Sequence, residues 1–140
     1  MARRKRQQQP VPPVGVEPQA LAASRQLART LAQLAHDRHC RDIVILELAD
    51  VSPVAYHFVI ATGASTQQIR AVALEIEELG RERGCRVFSQ AGIQQGRWAL
   101  VDFVDVVVHL FDEEYRQFYD LELLWGDAPK ITWQRDANDS

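Results

Sequence analysis

The sequence contains no apolar run near the roughly 20 residues that a membrane-spanning helix needs. Gln and Pro follow its basic start, so no secretory signal core is expected there. It has only two cysteines, Cys40 and Cys85, with no CxxC spacing. That argues against a disulfide framework and points to a reducing, cytoplasmic setting. Phosphate loops of the GxxxxGK[ST] and GxGxxG kinds are missing, as is a GxSxG nucleophile elbow. No internal repeat is present.

What remains is ordinary for a folded protein. The 140 residues are 46% apolar and 25% charged, which fits one domain with a real core. The formal charge of -3 hides an asymmetry. Arg3, Arg4, Lys5 and Arg6 against Glu17 give the first 20 residues +3, so the other 120 carry -6. An acidic body is a poor general phosphate binder and suits a basic partner protein better. The basic arm can touch RNA separately.

Residues 1–19, rich in Gln and Pro, read as a disordered arm. The folded domain is expected over 20–129, and 130–140 reads as a flexible polar tail with an isolated Trp133. Leu27, Leu31 and Leu34 recur at helical spacing, which predicts a helix over 20–38. The apolar run 42–48 predicts a strand covered on both faces, and 55–62 a second. Gly63 ends that strand, Ser65 or Thr66 caps the next helix over 66–83, and Gly84 stops it. Residues 85–88 read as a short strand and 89–96 as a flexible loop. Trp98 to Phe111 is the most strand-prone stretch of all. It divides into strands 97–102 and 105–111 around a very tight turn. Asp112 caps a last helix over 112–125, with Phe118, Leu121 and Trp125 on one face. The order α-β-β-α-β-β-β-α implies an α/β fold: a mixed sheet of about five strands with helices packed on it.

Three groupings carry candidate chemistry. His36, His39 and Cys40 could ligate a metal, but no further ligand is near in sequence, and histidines also suit a helix C-terminus. Thr62-Gly63-Ala64-Ser65 lies at a strand-to-helix turn, where backbone N–H groups favour anions. A metal-dependent nucleotidyltransferase would combine such a turn, through Ser65, with Asp102 and Asp105 as metal ligands. Carboxylates at i and i+3 on a strand diverge, however, and both fit the plainer role of turn formers. Trp98 is either an exposed aromatic anchor or a core residue.

Several segments taken in order resemble the ribosomal silencing factor family, RsfS, also called Iojap. They are Asp42-Ile43-Val44; Phe58-Val59-Ile60-Ala61-Thr62-Gly63-Ala64-Ser65; Trp98-x-Leu100-x-Asp102-x-x-Asp105-Val106-Val107-Val108-His109-Leu110-Phe111; and Phe118 through Pro129. The resemblance implies a fold of nucleotidyltransferase-like topology without the catalytic carboxylates, and therefore no enzymatic activity and no cofactor. It implies binding to the large ribosomal subunit through its fourteenth ribosomal protein. Bound there, the factor would sterically block the small subunit and repress translation. The implied docking surface maps onto Trp98, Leu100 and Asp102, with Asp105 and His109 on or beside the hairpin. Ala55-Tyr56-His57, Gln67-Gln68, Ala91 and Val104 depart from the family's usual residues, and Val104 stands where a hairpin glycine is expected. A changed partner is the corresponding alternative. The Val-rich hairpin also offers an edge that can pair with a second copy.

Overall fold

The structure is a computed structural model that describes residues 17–134. Arg3, Arg4, Lys5 and Arg6, with most of the expected arm, lie outside the described residues. Helix α1 (Pro18–Asp37) opens inside that arm, because a proline at the first helical position lacks only an N–H that has no partner there anyway. Then follow β1 (Arg41–Glu47), β2 (His57–Thr62), α2 (Thr66–Glu82), β3 (Ser89–Ala91), β4 (Trp98–Asp102) and β5 (Val106–Phe111). Two short helices, α3 (Glu113–Tyr119) and α4 (Leu121–Leu124), and a strand β6 (Lys130–Ile131) complete the elements of the described residues.

The sheet has six strands in the order β3-β4-β5-β2-β1-β6. Only β2 and β5 pair in parallel, so the sheet is mixed, as expected. They form its centre, and every residue of both strands is buried. Helices α1 and α2 cover one face. Leu31, Ile45, Val59, Ile69, Ile76, Val101, Val108 and Leu110 fill the core between. The other face carries a smaller core of Leu46, Leu48, Phe58, Ile60, Val107 and Phe111, covered only by α3, α4 and loops.

Four expectations change. Residues 85–88 are a connector, and pairing begins at Ser89, opposite Asp102. Asp102 is the last residue of β4: its carbonyl still accepts the Phe88 N–H at 2.7 Å, and the residues before Phe88 run past its end. The single helix expected over 112–125 is broken at Asp120, whose φ of 46° is left-handed. Phe118 therefore does not share a face with Leu121 and Trp125: it is 78% exposed, while they pack on the sheet. Lys130 and Ile131, placed in the tail by sequence, add a sixth strand beside β1. Trp133 is not isolated either. It packs on the larger core, and its indole donates to the carbonyl of Ile43 at 2.9 Å.

Candidate functional site

Strand β4 alternates. Ala99 and Val101 are fully buried under the helices, so Trp98, Leu100 and Asp102 face the other way. These three are partly exposed, at the border of the thinly covered face. Trp98 is thus neither core nor free: its ring stacks on Phe111 at 4.9 Å and meets Tyr119 at 4.6 Å. Its indole N–H donates to Nδ1 of His109 at 3.1 Å.

His109 sits beneath. It is 4% exposed, and Phe58 packs against it at 4.5 Å. Burial pushes its pKa down to about 4, so the ring is neutral at pH 7. Nδ1 must then be the acceptor, which puts the proton on Nε2, a buried atom with no hydrogen-bond partner. His109 therefore lies behind Trp98 and fixes the plane and depth of its ring.

The two aspartates serve the hairpin turn. Asp102 accepts from the Val104 N–H at 2.7 Å. The carbonyl of Asp105 accepts from the N–H groups of Tyr56 and His57, which ties the turn to β2, while its side chain is exposed. Val104 has a φ of 79°, and the Asp105 N–H bonds back to the Phe103 carbonyl at 3.1 Å. Together these define a γ-turn of the rare left-handed kind, which is strained for a β-branched residue.

The nucleotidyltransferase alternative finds little to use. The Ala64 N–H is occupied by Gln68 Oε1, and Ser65 Oγ caps α2 by accepting from Gln68 N. A phosphate at this turn would have to displace a side chain of the same helix. Among the described residues, no group of three or more His, Cys, Asp or Glu is arranged to hold a metal. That includes His36, which packs at a tilt against Trp133, and Cys40, whose buried thiol is pushed up to about 11.

A polar network absent from the sequence reading lies under α1. The buried Ser24 hydroxyl bonds Nδ1 of His57 at 2.6 Å, and His57 Nε2 bonds Glu47 at 3.1 Å. Arg25 closes the network on Glu47 at 2.8 Å. Burial lowers the His57 pKa against the pull of Glu47. The trio has the make-up of a hydrolase triad, but Ser24 is only 3% exposed and its hydroxyl is closed to substrate. It holds α1 on the sheet. His57, which the resemblance marks as a departure, is fully buried and has both ring nitrogens bonded inside the fold.

Sequence reasoning also missed the exposed residues of α3 and α4. Phe118, Tyr119, Leu123 and Leu124 are all exposed, and Tyr119 joins Phe118 to Trp98. Only an intact helix would have placed Phe118 inside.

Fold and face together define an α/β module whose most distinctive surface is a sheet border bearing a fixed, half-buried tryptophan. A family model described as "Ribosomal silencing factor during starvation" matches residues 21–140. The chain belongs to this ribosomal silencing factor family, RsfS. It is 40% identical over 105 residues to the ribosomal silencing factor RsfS of Bacillus subtilis, covering 75% of this chain and 89% of that one. It is 36% identical over 113 residues to the chloroplastic protein Iojap of Arabidopsis thaliana, covering 79% and 46%. A crystal structure from Chromobacterium violaceum superposes with a TM-score of 0.67 at 30% identity, over 89% of this chain and 98% of that chain. One from Bacillus halodurans gives 0.66 at 32%, over 79% and 98%. Among the described residues, no helix is long and apolar enough to cross a membrane.

Proposed function

We propose that this chain is a non-enzymatic ribosomal silencing factor that binds the large ribosomal subunit and blocks association with the small subunit. The partner is the fourteenth ribosomal protein of the large subunit, at the face where the small subunit docks. The mechanism is steric and needs no cofactor: while the factor occupies the patch, the small subunit cannot seat, and translation is repressed.

The observation that carries this reading is the placement of Trp98. A large aromatic ring, partly exposed and held in one orientation by His109 and Phe111, loses little freedom on binding. Leu100 continues the apolar strip, and Asp102 and Asp105 add negative charge at its end. A basic ribosomal protein complements such a surface. His109 supports Trp98 from below. The arm residues Arg3, Arg4, Lys5 and Arg6 suit a separate contact with ribosomal RNA.

Co-sedimentation with purified large subunits tests the reading. Leu100→Glu, a partly exposed site, should stay folded and leave the pellet. If it pellets like the parent chain, the strip is not the contact. Removing residues 1–16 should weaken binding most at low salt and leave it largely intact at 0.3 M, because screening removes phosphate contacts first.

A further inference from the structure

We propose that α3 and α4 form a second docking surface, beside the Trp98 strip, for a basic protein segment that carries apolar side chains. This rests on the ribosome-binding reading and extends its contact. Phe118 is 78% exposed, Leu123 77% and Leu124 70%, which makes them three of the four most exposed large apolar side chains among the described residues. They fall within seven residues. Clustered apolar exposure of this kind marks an interaction surface rather than chance.

The fold builds this ridge actively. The left-handed turn at Asp120 ends α3, and the Asp120 carboxylate starts α4 by accepting from Leu123 N at 3.2 Å. Leu121 and Trp125 take the inward positions of the restarted turn, so Leu123 and Leu124 have only outward ones. The ridge is continuous with the strip through ring contacts from Phe118 to Tyr119 at 5.0 Å and from Tyr119 to Trp98 at 4.6 Å.

Charge selects the occupant. Residues 113–127 hold five carboxylates, Glu113, Glu114, Asp120, Glu122 and Asp127, against Arg116 alone. Arg116 is already spent on Glu122, Thr62 and the Asp42 carbonyl. Arg41 pairs with Glu113, and Arg97 is shared between Asp112 and Glu114, while Asp120 and Asp127 make no ion pair among the described residues. Nucleic acid would be repelled there. A second copy docking by two-fold symmetry would bring like charges together. A basic segment meets both the apolar and the acidic parts.

The test is Phe118→Glu combined with Leu123→Glu in the full chain. Both side chains lie in solvent, so circular dichroism and the melting temperature should not change. We expect affinity for purified large subunits to fall at least tenfold, with Leu100→Glu measured alongside as the marker of the strip. A folded double variant that binds at full affinity overturns the proposal. So does loss of self-association by light scattering with subunit binding intact, which would make the ridge a contact between copies. If the parent chain itself fails to pellet, the ribosome-binding reading falls. The ridge then stands or falls on a synthetic amphipathic Lys/Leu peptide: binding to the parent chain but not to the double variant upholds it, and no binding to the parent chain overturns it.

Discussion

Val104 holds a backbone conformation that its side chain opposes. Val104 is 53% exposed and its isopropyl group packs into neither core, so no side-chain packing offsets the strain. Val104→Gly should stabilise the protein by about 1 kcal/mol, the relief of strain outweighing glycine's added unfolded-state entropy. Urea unfolding measures this directly, and a lower midpoint for the glycine variant would contradict the assigned turn. His109 gives a pH dependence of definite sign. Its folded pKa of about 4 lies below the ordinary value of 6.5, so it binds a proton less readily folded than unfolded. Its contribution is complete above pH 6.5 and is lost as the pH falls from there toward 4. His109→Gln, which has no such titration, should flatten that part of the stability profile. Trp98 fluorescence should report the change, since a protonated ring can no longer accept from the indole.

At the scale of elements, the hairpin is pinned from three sides: by Asp102 in the turn, by β2 through the Asp105 carbonyl, and by α2. The α2 contact explains a glycine inside a helix. A Cβ on Gly80 would lie 2.4 Å from the Phe103 ring. Gly80→Ala should therefore destabilise by about 1–3 kcal/mol through overpacking, although alanine is the better helix former. A thermal melt decides the sign, and a stabilised variant would mean that Phe103 has room to move. The long elements were legible in the sequence because their periodicity is strong: the stripe Ile69, Val72, Ala73, Ile76 places α2, and the Val-rich run places β5. Val104 could be flagged because the family resemblance puts a glycine at that place in the hairpin, and its φ of 79° shows why. The misplaced elements depend on partners. Residues 85–88 look strand-prone but those before Phe88 pass beyond the end of β4, while the polar Ser89–Ala91 pairs because β4 is beside it. Lys130–Ile131 and Trp133 are ordered by β1, to which a local pattern is blind. The break at Asp120 turns on one left-handed residue, and the preference of Asp for caps applies equally to Asp112, so residue type alone does not mark the break.

For the whole molecule, the two faces of the sheet have different work. One is sealed by two long helices and locked by the buried Ser24–His57–Glu47 network. The other is thinly covered and leaves an aromatic and aliphatic border in water. On the proposed steric mechanism, the sealed face would be the rigid back and the thinly covered face the docking front. Of the residues that the family resemblance singled out, Trp98, Leu100 and Asp102 share that front, Asp105 lies at its end, and His109 lies behind it. Sequence pointed to the strip only through the family resemblance, and the alternation along β4 shows which of its residues share a face. It could not place the ridge, which exists only because the last helix is broken.

The most direct measurement is subunit joining itself. Purified large and small subunits are mixed at associating magnesium concentration, with and without an excess of the chain, and followed by light scattering. The account predicts that the parent chain suppresses joining and that a folded Trp98→Ala variant restores it, at a binding cost of about 2–4 kcal/mol. Joining that proceeds unhindered while the chain is bound to the large subunit would contradict it.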